Sequence, residues 1–205
     1  MSIDKNRSKE VLNKKRTGIL ILVILLAAGA AWLSFGIGIN PPMANVAGSI
    51  VSILLAVIVA QVLGVSDNMF AMFLGFVFLA SPVGSVLNVY RLWGPYDKIV
   101  HFLSGVLIAA AGIVIFCKII EQQRMERHQK KKLIGISSLF AFLAASAGAG
   151  IWEITEFTID IIVSGGMQRG MVDTITDMIA GTLGGLLYAL ITYFMYRKPK
   201  SEFEN

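Results

Sequence analysis

The run Thr17-Gly-Ile-Leu-Ile-Leu-Val-Ile-Leu-Leu-Ala-Ala-Gly-Ala-Ala-Trp-Leu-Ser-Phe-Gly-Ile37 decides the class of fold. It holds no charged residue over a length that, wound as a helix, matches the roughly 30 Å hydrocarbon core of a bilayer. Residues 1–16 before it are polar and basic, with Lys5, Arg7, Lys9, Lys14, Lys15 and Arg16. A basic start followed by an apolar run and Ala28-Gly29-Ala30 also fits a cleaved signal peptide. Apolarity continues through Phe35, beyond that small-residue site, which favours a retained helix. Either outcome starts the next segment outside.

The rest of the chain repeats the pattern. Asn40-Pro41-Pro42 cannot continue a helix, and the second span is expected over about 44–65. Ser66-Asp67-Asn68 turns the chain into a third, about 69–87. A link with Tyr90, Arg91, Trp93 and Gly94-Pro95 follows, its aromatics suited to the headgroup belt. Further spans are expected at about 97–120, 133–163 and 171–196, separated by a charged loop over 118–132 and by Gly165-Gly166. This reads as an all-α, polytopic membrane helical bundle of about six transmembrane helices. A single transmembrane domain over 17–196 would lie between a basic tail, 1–16, and a short tail, 197–205.

Composition agrees. Apolar residues make up 56% of the 205, charged residues 15%, and the mean hydropathy is +0.72. A soluble domain of this length has too little interior for so much apolar surface. The net charge of +5 does not point to nucleic acid, because the basic residues lie in the tails and one loop. Fifteen of the 18 lysines and arginines fall in segments that are inside if the N-terminus is inside; Arg91, Lys98 and Arg169 fall outside. The positive-inside rule then sets an N-in/C-in orientation with both tails cytoplasmic. The lone Cys117 excludes an intrachain disulfide or a thiolate metal site.

The intramembrane ionisable residues are unusual in position. Asp97 and His101 open the fourth span, Glu153, Glu156 and Asp160 close the fifth, and Asp173 and Asp177 open the sixth. In the N-in/C-in topology all fall toward the outer face. Asp97, His101 and Gly105 are four apart and share a helical face, as do Asp173, Asp177, Gly181 and Gly185. Glu153, Glu156 and Asp160 follow a 3–4 spacing. A carboxylate in lipid costs about 2.5–3.5 kcal/mol near the bilayer centre, so the stripes are expected to face one another or a watery cleft. Six carboxylates at close range need protons or cations. His101, Glu153, Glu156 and Asp177 offer an oxygen-rich ligand set with one imidazole, suited to a divalent metal such as Mg²⁺, Mn²⁺ or Zn²⁺. The bland readings are that Asp97 and Asp173 only cap helices, that Glu153 is a helix-end charge, and that His101 is a core histidine bonded to a neighbour.

These residues resemble a known family. Tyr96-Asp97…His101-Phe102…Gly105, Trp152-Glu153…Glu156 and Asp173…Asp177-Met178…Gly181…Gly184 are similar to the motifs of the YjdF-type bacterial integral membrane proteins. A more distant likeness is to VanZ-like proteins, from whose pattern Asp177, where asparagine is expected, and Asp160 depart. The resemblance implies a multi-pass protein of the bacterial plasma membrane in which Asp97, His101, Glu153, Glu156, Asp173 and Asp177 match the motif.

Three functions follow as expectations. One is a metal-assisted enzyme acting on a membrane lipid or lipid-linked envelope substrate, with those six residues as catalytic candidates and Arg91 and Arg169 holding an anionic headgroup. Another is a non-enzymatic assembly or regulatory protein whose polar cluster fixes helix packing. The third is an ion-coupled transporter, disfavoured because the inner halves of the fourth and sixth spans carry no acid. Oligomeric state and substrate are not encoded in any recognisable motif.

Overall fold

A computed structural model describes residues 12–121, 127–163 and 166–197, the side chains of 121–132, 163 and 197 excepted. Seven α-helices and one π-helical segment make up the regular structure among these residues. Six stretches are long and apolar enough to cross a membrane: Lys14–Gly36, Met43–Leu63, Asp67–Val86, Pro95–Ile120, Leu133–Ile162 and Met171–Tyr196. Large apolar side chains point outward along them, as with Trp32 at 82% and Val62 at 75% exposure. Water would penalise such a surface, whereas lipid does not. The basic residues Lys5, Arg7, Lys9, Arg124, Lys198 and Lys200, which carried part of the orientation argument, lie outside the described residues.

The chain divides into two compact units, Met1–Val100 and His101–Asn205. In the first, α1 (Lys14–Gly36) and α2 (Met43–Leu63) each pack against α3 (Asp67–Phe78) and its π-helical continuation, Leu79–Val86. Asn13 caps α1 by accepting from the Arg16 amide, and Ser66 caps α3 by accepting from Met69. Gly64 ends α2 in the left-handed conformation, φ +55°, which costs a residue without Cβ nothing. Pro82 lies inside the π-helical segment. Its ring excludes a normal α-helical ladder, and the Leu87 amide instead reaches back five residues to the Pro82 carbonyl at 3.0 Å. The hydroxyls of Ser49 and Ser81 meet at 2.8 Å between α2 and this segment. A short helix, α4 (Val89–Leu92), leads on to α5 (Pro95–Glu121).

Helix α5 runs from the first unit into the second, where α6 (Arg127–Val163) and α7 (Met171–Arg197) complete the chain. The α6 helix extends six residues ahead of its apolar span, into the region expected as loop. The second unit is packed along small residues. Buried positions recur every four residues on α6 at Ala141, Ala145 and Ala149, on α5 at Gly105 and Ala109, and on α7 at Gly181, Gly185 and Ala189. A methyl group added at Gly105 would collide with the Gly181 carbonyl oxygen, one at Gly184 with the Phe102 carbonyl oxygen, and one at Gly185 with the Ala145 side chain. Backbones thus lie in direct contact, the arrangement that small-xxx-small stripes allow where no hydrophobic effect drives helices together.

Candidate functional site

At one end of these stripes the small residues give way to ionisable ones. One turn beyond Gly105, Ala149 and Gly181, on their respective helices, stand His101, Glu153 and Asp177. All three are buried, at 7%, 4% and 2% exposure. The imidazole lies between the two carboxylates: Nδ1 is 3.9 Å from Glu153 Oε1, and Nε2 is 3.8 Å from Asp177 Oδ1. Both separations are too long for a hydrogen bond and short enough for strong electrostatic coupling in a low-dielectric interior. Among the described residues Glu153 Oε1 has no hydrogen-bond partner, while the Thr174 hydroxyl bonds to the Glu153 side chain. Asp97, also buried, precedes His101 by one turn of the same unbroken helix. His101 and Asp177 offer a ring nitrogen and a carboxylate oxygen of the kind that hold a divalent ion, in a ligand-type group that leaves Glu153 out.

Neither aspartate expected as a cap is one. Helix α5 opens at Pro95 and α7 at Met171, which puts Asp97 and Asp173 third in their helices, inside the first turn. There a carboxylate still benefits from the positive end of the helix dipole. Pro95 at the first helical position needs no hydrogen-bond acceptor for the N–H it lacks.

The remaining candidates are placed differently. Asp173 is half-buried and pairs with the exposed Arg169, Nε to Oδ2 at 3.4 Å. Glu156 accepts the Trp152 indole N–H at 2.8 Å, one turn back on α6. Arg91 is exposed on α4. Asp160, grouped with Glu153 and Glu156 by spacing, instead accepts the backbone N–H groups of Met167 and Gln168 at 2.9 and 2.8 Å. It ties down the segment that returns to α7, and the Gln168 carboxamide adds a bond to the Glu153 carbonyl at 3.3 Å. Sequence reasoning missed this anchoring, though an aspartate just before a glycine-rich break is a recognised signal for side-chain capping of backbone. It also missed that Glu153 alone continues the alanine stripe of α6, a signal present in the four-residue spacing 141, 145, 149, 153.

Six apolar helices and a buried Asp/His group define a polytopic helical membrane protein with a polar centre. Residues 18–198 match the family described as "Predicted membrane protein (DUF2238)", and the chain belongs to it. The YjdF-type resemblance read from the motifs is to this same family. An "Uncharacterized protein" of Thermotoga maritima is 33% identical over 128 residues, 62% of this chain. The match spans 61% of that relative's length. No solved structure matches.

Proposed function

We propose that this protein is a metal-assisted enzyme of the bacterial plasma membrane, acting at the outer leaflet on a lipid or lipid-linked envelope substrate. One observation carries the reading: a buried imidazole is flanked at 3.8 and 3.9 Å by two buried carboxylates. Carboxylates in such a place are stable only with compensating positive charge or protons. A divalent cation, Mg²⁺, Mn²⁺ or Zn²⁺, supplies that charge and would polarise a phosphoryl or carbonyl oxygen or lower the pKa of water. His101 and Asp177 are the residues to hold it, with Asp97 one turn away on α5.

The outer-face assignment rests on the lysine and arginine bias of the loops. Arg169 suits the approach of an anionic headgroup, because it is exposed and can exchange its partner Asp173 for a phosphate. A second reading, a polar clasp in a non-enzymatic assembly or regulatory protein, draws on the glycine and alanine stripes that end at the same three residues.

Metal analysis of protein purified in mild detergent separates the two. Stoichiometric metal in the wild type, lost in Asp177→Asn and His101→Gln variants that still fold, supports the enzyme. A metal-free wild type that hydrolyses nothing in a total polar lipid extract sinks it. Failure of Asp177→Asn to fold, with metal absent from the wild type, leaves the clasp.

A further inference from the structure

We infer that Glu153 is a positioning residue and not a ligand: it holds His101 through Nδ1, so that Nε2 is presented on the edge facing Asp177. This rests on the metal reading above and assigns the roles within it.

The two ring nitrogens of an imidazole point away from each other, so one ion binds only one of them. Here Nδ1 faces Glu153 and Nε2 faces Asp177. Glu153 stands outside the ligand-type group that holds His101 and Asp177, and it faces the opposite edge of the ring from Asp177. An ion at Nε2 therefore meets the Asp177 carboxylate, while Glu153 is left to accept the Nδ1–H. Metal-binding histidines ordinarily donate their second N–H in this way, which fixes the tautomer and raises the basicity of the ligating nitrogen.

Three features suit Glu153 to the task. It is buried, so its carboxylate is not diverted by water. Its Oε1 has no competing hydrogen bond among the described residues and points at Nδ1. The rest of the residue is held, by Thr174 at the side chain and by Gln168 at the backbone carbonyl. The 3.9 Å gap closes to a hydrogen bond with a movement of about 1 Å, the tightening expected when such a site is occupied.

The chain has only two histidines, so a His128→Gln variant leaves His101 as the single imidazole reporter. With ¹⁵N-labelled histidine, titration with Zn²⁺ should shift Nε2 while Nδ1 stays protonated; coordination at Nδ1 overturns the assignment. In parallel, Zn²⁺ affinity is measured for Glu153→Gln and Glu153→Ala. Affinity should fall about 10-fold and 100-fold respectively, with one ion still bound at saturation. Unchanged affinity overturns the role, and loss of the ion at saturation, as expected for Asp177→Asn, makes Glu153 a ligand instead. A wild type that binds no ion at all overturns the metal reading, and this role with it. The imidazole experiment keeps Glu153 intact, so it decides the matter even where the Glu153 variants fail to fold.

Discussion

Arg16 Nε meets Asp67 Oδ1 at 2.7 Å across 51 positions of sequence. The same guanidinium donates to the Val65 carbonyl and stacks over the Phe70 ring at 5.2 Å. Asn13 adds a carboxamide bond to Asp67 at 3.1 Å. The entrance of α1 is thereby bolted to the turn between α2 and α3. Arg16→Gln should lower stability by about 1 kcal/mol, because the Asp67 carboxylate left behind is only half-buried and partly screened by solvent. A cycle with Asp67→Asn, followed by thermal unfolding in detergent, should show the two losses to be far from additive. Additive losses would mean that the pair is not coupled.

The second unit predicts an asymmetry among glycines. Gly184→Ala and Gly105→Ala each place a methyl group against a backbone carbonyl that has nowhere to go. Each should cost about 2–4 kcal/mol or abolish folding. Gly18→Ala and Gly48→Ala, with nothing within 4 Å of the added atom, should be neutral or slightly stabilising. Equal effects in the two sets, read from melting temperatures, would refute close backbone packing as the stabilising device.

Metal removal offers a third check. Dialysis against a chelator should lower the melting temperature, and Mn²⁺ or Zn²⁺ should restore it. Saturation at 100 times the dissociation constant contributes about 2.7 kcal/mol. The restoration should vanish in Asp177→Asn and persist, at higher ion concentration, in Glu153→Gln. Restoration by Asp177→Asn as strong as in the wild type would place the ion elsewhere.

Asp160→Ala should release the Met167 and Gln168 amides, whose hydrogen exchange then accelerates while that of Ala145 and Gly181 in the helix cores is unchanged. Exchange unaltered at 167 and 168 would mean that the segment is held by other bonds.

Topology is tested with a single cysteine. In a Cys117→Ser background, Gln168→Cys should react with a membrane-impermeant maleimide added outside intact cells. Protection from outside, with labelling after lysis, would reverse the orientation and put the polar group on the cytoplasmic side.

The number and type of helices were legible because lipid imposes a coarse rule: about 20 apolar residues for each crossing. Thr17–Ile37 needed no further context, and α1 spans nearly the same residues. Pro82 was the exception. Its hydropathy suits a span, so the widened helical turn it forces is invisible to an apolarity count. In the site, four-residue spacing correctly placed His101 with Asp97 and Asp177 with Gly181, because both lie on straight helical faces. On α6 the 3–4 spacing of Glu153, Glu156 and Asp160 likewise keeps them on the less exposed side of the helix. What spacing could not show is that each takes a different partner along that side: the imidazole, an indole and a backbone turn. Long-range pairs such as Arg16 with Asp67 left no trace in local pattern, since only tertiary contact brings them together.

The glycine and alanine stripes bring α5, α6 and α7 into direct contact one turn beyond His101, Glu153 and Asp177. Side chains too small to shift therefore fix how far apart the three ionisable groups can stand. A single methyl group added to a stripe would reset the spacing of imidazole and carboxylates from a distance, without touching any of them.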